Sequence, residues 1–572
     1  MNTEELTRFI KTARGECPAD IVLKGANIVN ILSGEIYEAD VAIMGDRIAG
    51  IGEYEGKEIV ELNGGYLVPG LIDAHVHIES SMVAPPQYAR GVLPRGTTAV
   101  FADPHEIANV MGKEGVRLML NLSEGLPLSV FIMVPSCVPS TDMETAGAEL
   151  TADDISQLLI ENRVAGLAEM MNFPGVIFGV PEVLAKLGAA SGRVIDGHAP
   201  GLSGKDLQAY AGTGIASDHE CTTPEEAVEK LRAGMNIMIR ESTGARNLDA
   251  LLPMVTPENS RRIMFASDDL HPPELLNRGH IDYMVRRAIE FGIEPITAIR
   301  MGSLNAAEYF RKYDMGAIAP GKLANIIWLP DIKKFEPQKV WAKGRLAAEN
   351  GKIIPNELYE KKISTPMTVN PAPFDSGNFK IPAQPSAKAH IIQLITGQIV
   401  TEHIVDEIKV ENRFAVADIE HDTLILAVIE RHKATGNIGL GFVRGFGLRN
   451  GALASSVGHD SHNITVVGTN EIDMNVAAKA VVEMGGGFVA AATEKIIGKL
   501  PLPLAGLMST VSIDDVNAET ESLKKVAAQL GSKVEDPFML LGFLALPVIP
   551  KLKLTDKGLV DVEQFKIINL FE

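Results

Sequence analysis

Between about Leu67 and Tyr313 the chain repeats one pattern eight times: a short apolar run ending in polar residues, then a helical stretch. The run ends are Asp73-Ala-His75-Val-His77, Phe101-Ala-Asp103-Pro-His105, Ile132-Met-Val-Pro-Ser136 and Leu167-Ala-Glu169. They continue with Val194-Ile-Asp-Gly-His198, Ile215-Ala-Ser-Asp-His219, Ile237-Met-Ile-Arg240 and Ile263-Met-Phe-Ala-Ser-Asp268. Steps of about 30 residues between such ends suit one strand plus one helix. The shortest step, from His198 to His219, still leaves room for a crossover helix. Pro224-Glu-Glu-Ala-Val-Glu-Lys-Leu-Arg has the amphipathic character expected of these helices. Eight such units predict an α/β fold, a (β/α)8 TIM-like barrel whose active site lies at the C-terminal ends of its strands.

The flanks have a different pattern. Residues up to about Pro69 read as short strands with glycine turns, among them Ile21-Val-Leu-Lys-Gly, Asp40-Val-Ala-Ile-Met and Lys57-Glu-Ile-Val. The same style returns in Gly321-Lys-Leu-Ala-Asn-Ile-Ile-Trp-Leu and Lys339-Val-Trp-Ala-Lys-Gly-Arg. The expected organisation is a small β domain from residues 1–66 and 316–355, with the barrel, 67–315, inserted into it. Pro355, Pro366, Pro371, Pro373, Pro382 and Pro385 mark a linker or extended arm over 356–388. Residues 389–572 are expected to form a C-terminal α+β domain.

At 572 residues the chain is long enough for two or three cores. Its formal charge of −20 argues against nucleic acid or anionic membrane as partners. The three cysteines, Cys17, Cys137 and Cys221, match no zinc or disulfide pattern and fit a reducing compartment. The acidic N-terminus carries no signal-peptide pattern. Phe538–Ile549, the most apolar late segment, is shorter than the ~20 residues of a membrane helix and reads as core. A soluble, cytoplasmic protein is expected, and homo-oligomerisation is expected on general grounds.

His75 and His77, one residue apart at a strand end, can reach one ion. Later strand ends add Glu169, His198, His219 and Asp268. Six metal-competent side chains at one rim would repel or desolvate badly without a cation between them. Neutral imidazole and carboxylate ligands suit zinc, iron or manganese. Asp269, beside Asp268, is the alternative ligand, since adjacent strand residues point to opposite faces. A bound cation can lower the pKa of water from 15.7 to ~7, which supplies a nucleophile near neutral pH.

Pro69-Gly-Leu-Ile-Asp-Ala-His-Val-His resembles the first-strand signature of the amidohydrolase superfamily, and Gly316-Ala-Ile-Ala-Pro-Gly-Lys-Leu-Ala-Asn resembles its return into the β domain. Ile78-Glu-Ser-Ser81, Ala102-Asp-Pro-His-Glu-Ile-Ala-Asn-Val110, Ala168-Glu-Met-Met-Asn-Phe-Pro-Gly175, Asp196-Gly-His-Ala-Pro-Gly201 and Gly458-His-Asp-Ser-His-Asn463 narrow the resemblance to the bacterial-type adenine deaminase family. That resemblance covers nearly the whole chain. It implies hydrolytic deamination of adenine to hypoxanthine and ammonia in purine salvage, with a binuclear divalent centre, manganese favoured. It also implies that His75 and His77 bind the first ion, His198 and His219 the second, and that Glu169 bridges them. Asp268 would bind metal and pass the water proton to the leaving amine. Glu220 or His105 would protonate the neighbouring ring nitrogen.

Arg278, His280 and Asp282 follow the eighth strand and could bound the purine pocket. His459 and His462, at helical spacing, could hold a third metal or touch substrate, or lie in a polar loop over the barrel mouth. Gly201-Leu-Ser-Gly-Lys205 lacks the P-loop spacing, and Gly445-Phe-Gly-Leu-Arg-Asn450 fails the dinucleotide fingerprint. Gly485-Gly-Gly-Phe488 reads as a tight turn and Cys221 as packing. Two rival functions are a cyclic-amide hydrolase of the hydantoinase or dihydroorotase type and a non-catalytic binding module. The first typically uses a bridging lysine where this chain has Glu169, and the full ligand set argues against the second.

Overall fold

The computed structural model describes residues 1–395 and 397–572. All eight expected barrel strands are present: Leu71–Val76, Thr97–Ala102, Ser129–Val134, Val164–Met170, Val194–Gly197, Ser217–Asp218, Asn236–Arg240 and Ile263–Ala266. The first five form one parallel arc and the last three another. The Ala216 amide donates to Ile195 O at 2.9 Å and the Asp268 amide to His75 O at 3.0 Å, which closes the cylinder at both seams.

Alternation sorts the lower part of each strand. Ile72, Ala74, Ala99, Phe101, Met238, Met264 and Ala266 fill the inside with Phe310, while Val100, Ala102, Ile132 and Leu167 pack outward against helices. Four ladder irregularities interrupt the barrel strands, and two of them turn residues toward the mouth. One falls between Asp73 and Val76 and the other between Leu167 and Met170. Each sends two successive residues inward before Val76 and Met170 return to the outer layer. Strict period two would have carried His75 and Glu169 outward with Asp73 and Leu167. The slipped register turns them to the mouth.

Tyr66–Pro69 pairs antiparallel with Ile326–Leu329 in a seven-stranded sheet, so segments before and after the barrel share one small β domain. The sequence predicts short strands up to about Pro69, but the first residues are not strand. Thr3–Ala13 is a helix, started by a capping box in which Asn2 accepts from the Glu5 amide and Glu5 accepts from the Asn2 amide. Residues 356–388 run mostly extended, pinned by buried Tyr359, Val369 and Phe379.

The C-terminal domain is built on an eight-stranded sheet in which one neighbouring pair, Lys388–Leu394 with Ile438–Arg444, is parallel. Helix Glu471–Glu483 covers one face, where Met474, Ala477 and Val481 are buried. Helix Pro537–Phe543 buries Phe538 and Leu541 in the core shared with the barrel, and the chain is buried from Leu541 to Pro547, while Val548 is exposed. Among the described residues no helix is long and apolar enough to cross a membrane. The domain grips the barrel through Asp556, which accepts from the Thr145 amide at 2.9 Å and its hydroxyl at 2.7 Å.

Candidate metal centre

Glu169, on the fourth strand, stands at the middle of the cluster. Its Oε1 lies 3.3 Å from His77 Nε2 and 3.7 Å from His75 Nε2. Its Oε2 lies 2.6 Å from His198 Nδ1 and 3.2 Å from His219 Nε2. One carboxylate therefore faces two histidine pairs, one with each oxygen. Asp268 Oδ1 completes the first group, 3.1 Å from His77 Nε2 and 3.8 Å from His75 Nε2. All six expected residues come together, and His75, His77, Glu169, His219 and Asp268 are buried.

Asp268 is not a strand residue. It follows the strand end in a left-handed conformation, φ 54°, which aspartate tolerates better than most residues. The opposite-face argument that set it against Asp269 therefore does not apply. Asp269 turns aside and accepts from Ser80 Oγ at 2.5 Å.

The donor set fits cations. His77 Nδ1 donates to Asp103 O at 2.9 Å, leaving the Nε2 lone pair turned inward. His75 Nε2 sits 3.1 Å from that nitrogen, so two lone pairs would oppose each other unless something positive lay between them and the carboxylates. His219 Nδ1 and Asp103 Oδ1 are buried without partners among the described residues. Burial works against charge on Glu169, but His198 and His219 hold its carboxyl well below the usual carboxylate range. Burial likewise opposes charge on Asp268, and the His77 hydrogen bond and the Arg240 guanidinium more than offset it.

His105 and Glu220 flank the cluster on different sides. His105 Nδ1 is 3.5 Å from Glu169 Oε1 and 3.2 Å from Asp103 Oδ2. Glu220 Oε1 is 3.6 Å from His219 Nε2, and the carboxylate is gripped by both terminal nitrogens of Arg240. Arg240 and Asp103 are the residues that sequence reasoning missed. Each closes an apolar run and carries no motif of its own.

Arg278 is not brought to the cluster. Its Nη1 donates to Glu241 Oε1 at 2.7 Å, and its guanidinium stacks over Tyr283. His280 and Asp282 are held in a separate buried network. Buried His280 lies 3.0 Å from Asp73 and 2.8 Å from Thr97 Oγ1, and Asp282 accepts from the His280 amide. His459 and His462 lie in a turn, not on a helix, and both stand against Glu106. Cys221 is buried and donates to Asp218 at 3.2 Å, and burial pushes its thiol far up.

The amidohydrolase family matches residues 66–347, and the adenine deaminase C-terminal domain matches residues 398–566. An adenine deaminase of Desulfatibacillum aliphaticivorans is 56% identical over 99% of both chains. The chain belongs to the adenine deaminase family. Another member, from Dehalococcoides mccartyi, is 49% identical over 98% of this chain and 99% of its own. Adenine deaminase 2 of Carboxydothermus hydrogenoformans is 47% identical over 98% of each. The adenine deaminase resemblance drawn from the motifs is thus borne out along the full length, C-terminal domain included. The amidohydrolase family implies a divalent metal, and the clustered histidines and carboxylates offer it a place.

Proposed function

We propose that this chain hydrolyses adenine to hypoxanthine and ammonia as a step of purine salvage, at a pair of divalent cations, manganese favoured over iron or zinc. The observation that carries this reading is the orientation of Glu169, with one oxygen toward His75 and His77 and the other toward His198 and His219. When bound, the cations would supply Lewis acidity, making water acidic enough to act as a nucleophile near neutral pH. Glu169 and the four histidines would hold the cations, and Asp268 would join the group around His75 and His77.

Asp268 Oδ1 faces the cluster while its Oδ2 accepts from Arg240 Nη1 at 3.0 Å. That leaves Oδ1 to take the proton from the attacking water and return it to the departing amine. As the amine carbon becomes tetrahedral, charge builds on the adjacent ring nitrogen, and either His105 or Glu220 delivers the proton that neutralises it. Arg278 contributes through Glu241, whose other oxygen accepts from the Leu248 amide at 3.3 Å and so steadies the loop after the seventh strand.

On the same reading the enzyme works in the cytoplasm as a homo-oligomer, with no nucleic-acid or membrane partner. Its units are 1–66 with 316–355, 67–315, the arm 356–388, and 389–572. The decisive experiment incubates manganese-loaded protein with adenine and with hydantoin and follows ammonia and ring opening. Ammonia from adenine, abolished by a chelator, is the expected result. Turnover of hydantoin alone would replace this reading with cyclic-amide hydrolysis, and inertness toward both would leave a binding module.

A further inference from the structure

A cleft open to solvent lies between the barrel and the C-terminal domain. Glu79, Ser80, His271, His459, Phe488 and Phe538 are among the side chains that line it. Phe488 and Phe538 stack at 4.8 Å and give it a flat aromatic wall. A flat apolar wall with a few polar groups at its edge suits a planar heterocycle. Ser80, bonded to Asp269, ties the cavity to the residue beside Asp268.

His459 comes into this cavity from the C-terminal domain and is held from several sides. Its amide donates to Gly542 O at 3.1 Å, and its ring stacks on Phe543 at 4.5 Å, 14° from parallel. Its Nδ1 lies 2.7 Å from Glu106 Oε1, on the helix that follows the second barrel strand. Glu106 is itself fixed, with His462 Nε2 against its other oxygen. The Gly458 amide donates to His462 Nδ1 at 3.2 Å, which leaves the proton of a neutral His462 ring on the nitrogen facing Glu106. The second nitrogen of His459, Nε2, has no hydrogen-bond partner among the described residues, and the side chain is 12% exposed. Burial opposes charge on His459, but Glu106 more than offsets it and pushes the ring up to about 9.

We propose that His459 is a purine-binding residue supplied by the C-terminal domain. Glu106 sets its ring so that Nε2–H donates to an acceptor nitrogen on the edge of the base remote from the reacting amine. The inference rests on the adenine reading above. Glu106 Oε1 is 3.4 Å from His105 Nε2, and His105 Nδ1 is 3.5 Å from Glu169 Oε1. One imidazole and one carboxylate thus stand between His459 and the bridging residue. A base with its amine at the cations would bring its far edge to His459. The bland alternative is a clasp, in which His459 does no more than fasten the two domains through Glu106.

Two variants separate these roles. His459→Asn keeps an amide near Nδ1, within reach of Glu106, and removes the nitrogen that faces the cavity. His459→Gln carries an amide to the Nε2 position. The KM for adenine, kcat, bound manganese, melting temperature and hypoxanthine affinity by equilibrium dialysis are measured on manganese-loaded full-length protein. For His459→Asn the KM and the hypoxanthine Kd are expected to rise about tenfold, as for loss of a charge-assisted hydrogen bond, with kcat and manganese nearly unchanged. His459→Gln is expected to recover most of that loss. If His459→Asn binds purine within twofold of the parent, or only its melting temperature falls, the clasp is right and the proposal is overturned. Should the parent bind hypoxanthine but not deaminate adenine, the function above fails while the two dialysis values still judge His459. A parent that neither binds nor deaminates purines overturns both.

Discussion

Arg240 Nη1 lies 3.0 Å from Asp268 Oδ2, joining the end of the seventh barrel strand to the residue just past the eighth. The same guanidinium grips Glu220, so two carboxylates assigned to proton transfer or its neighbourhood share one rigid cation. Arg240→Lys should keep the charge but lose the fork that holds both. Turnover is expected to fall by roughly 10²-fold, as for loss of a preorganised donor, with two metals still bound. Steady-state kinetics with metal analysis checks this, and a variant with normal kcat would make the contact merely structural.

Asp268→Asn preserves size and much of the hydrogen bonding but cannot accept the water proton. It should retain most of its metal and lose nearly all turnover, on the order of 10²–10⁴-fold for removal of a general base. Normal activity would take Asp268 out of the proton path.

Glu169→Gln replaces the oxygen that faces one histidine pair with an amide nitrogen that has no lone pair to offer. Metal content should drop from two ions toward one or none. Elemental analysis after dialysis reads this directly, and full occupancy would contradict a bridge.

Lys230 is wholly buried, and its ammonium donates to Asp218 at 2.8 Å, Glu226 at 2.8 Å and Ala199 O at 2.7 Å. Asp218 in turn accepts from the Ala199 and Glu220 amides, which adjoin His198 and His219. Lys230→Met should cost about 3–5 kcal/mol, because it strands a buried carboxylate. Urea denaturation should show the loss, and adding Asp218→Asn should restore part of it. A single variant as stable as the parent would count against the argument.

Lys553 supplies a pH dependence remote from the metal cluster. It is fully buried, donates to Ile399 O at 2.9 Å and Phe543 O at 3.0 Å, and burial pushes its ammonium down to about 7 from 10.5. Between those values the unfolded chain holds a proton that the folded chain has released. Stability from this group therefore rises with pH across that window, by up to ~1.4 kcal/mol per unit, and is flat below it. Melting curves of the parent and Lys553→Met from pH 7 to pH 10 should differ in slope. Parallel curves would show that Lys553 stays charged when folded.

The barrel was legible because its repeat is local: each apolar run and the helix after it are contiguous in the chain. The ligand residues were legible because they terminate those runs. What stayed hidden depends on distant contacts. Arg240 looked like the polar end of a strand until Glu220 and Asp268 were seen around it. Glu106 reads as a first-turn helix acid, and no spacing reveals that His459 and His462, some 350 residues later in sequence, close on it. The Arg278–Glu241 contact was hidden for the same reason, since Glu241 comes from a neighbouring loop. The helix at Thr3–Ala13 was a miss of another kind, because the Asn2 and Glu5 capping signal was there to be read.

The ladder slips beside His75 and Glu169 put the floor of the cylinder and its rim out of phase. The floor's alternating small and large side chains determine how tightly the cylinder fills, and the slips decide which way His75 and Glu169 above it face. A strand straightened by a distant change in packing would swing those donors into the helical layer with no donor residue altered. Loss of ion capture could thus arise with every imidazole and carboxylate still encoded.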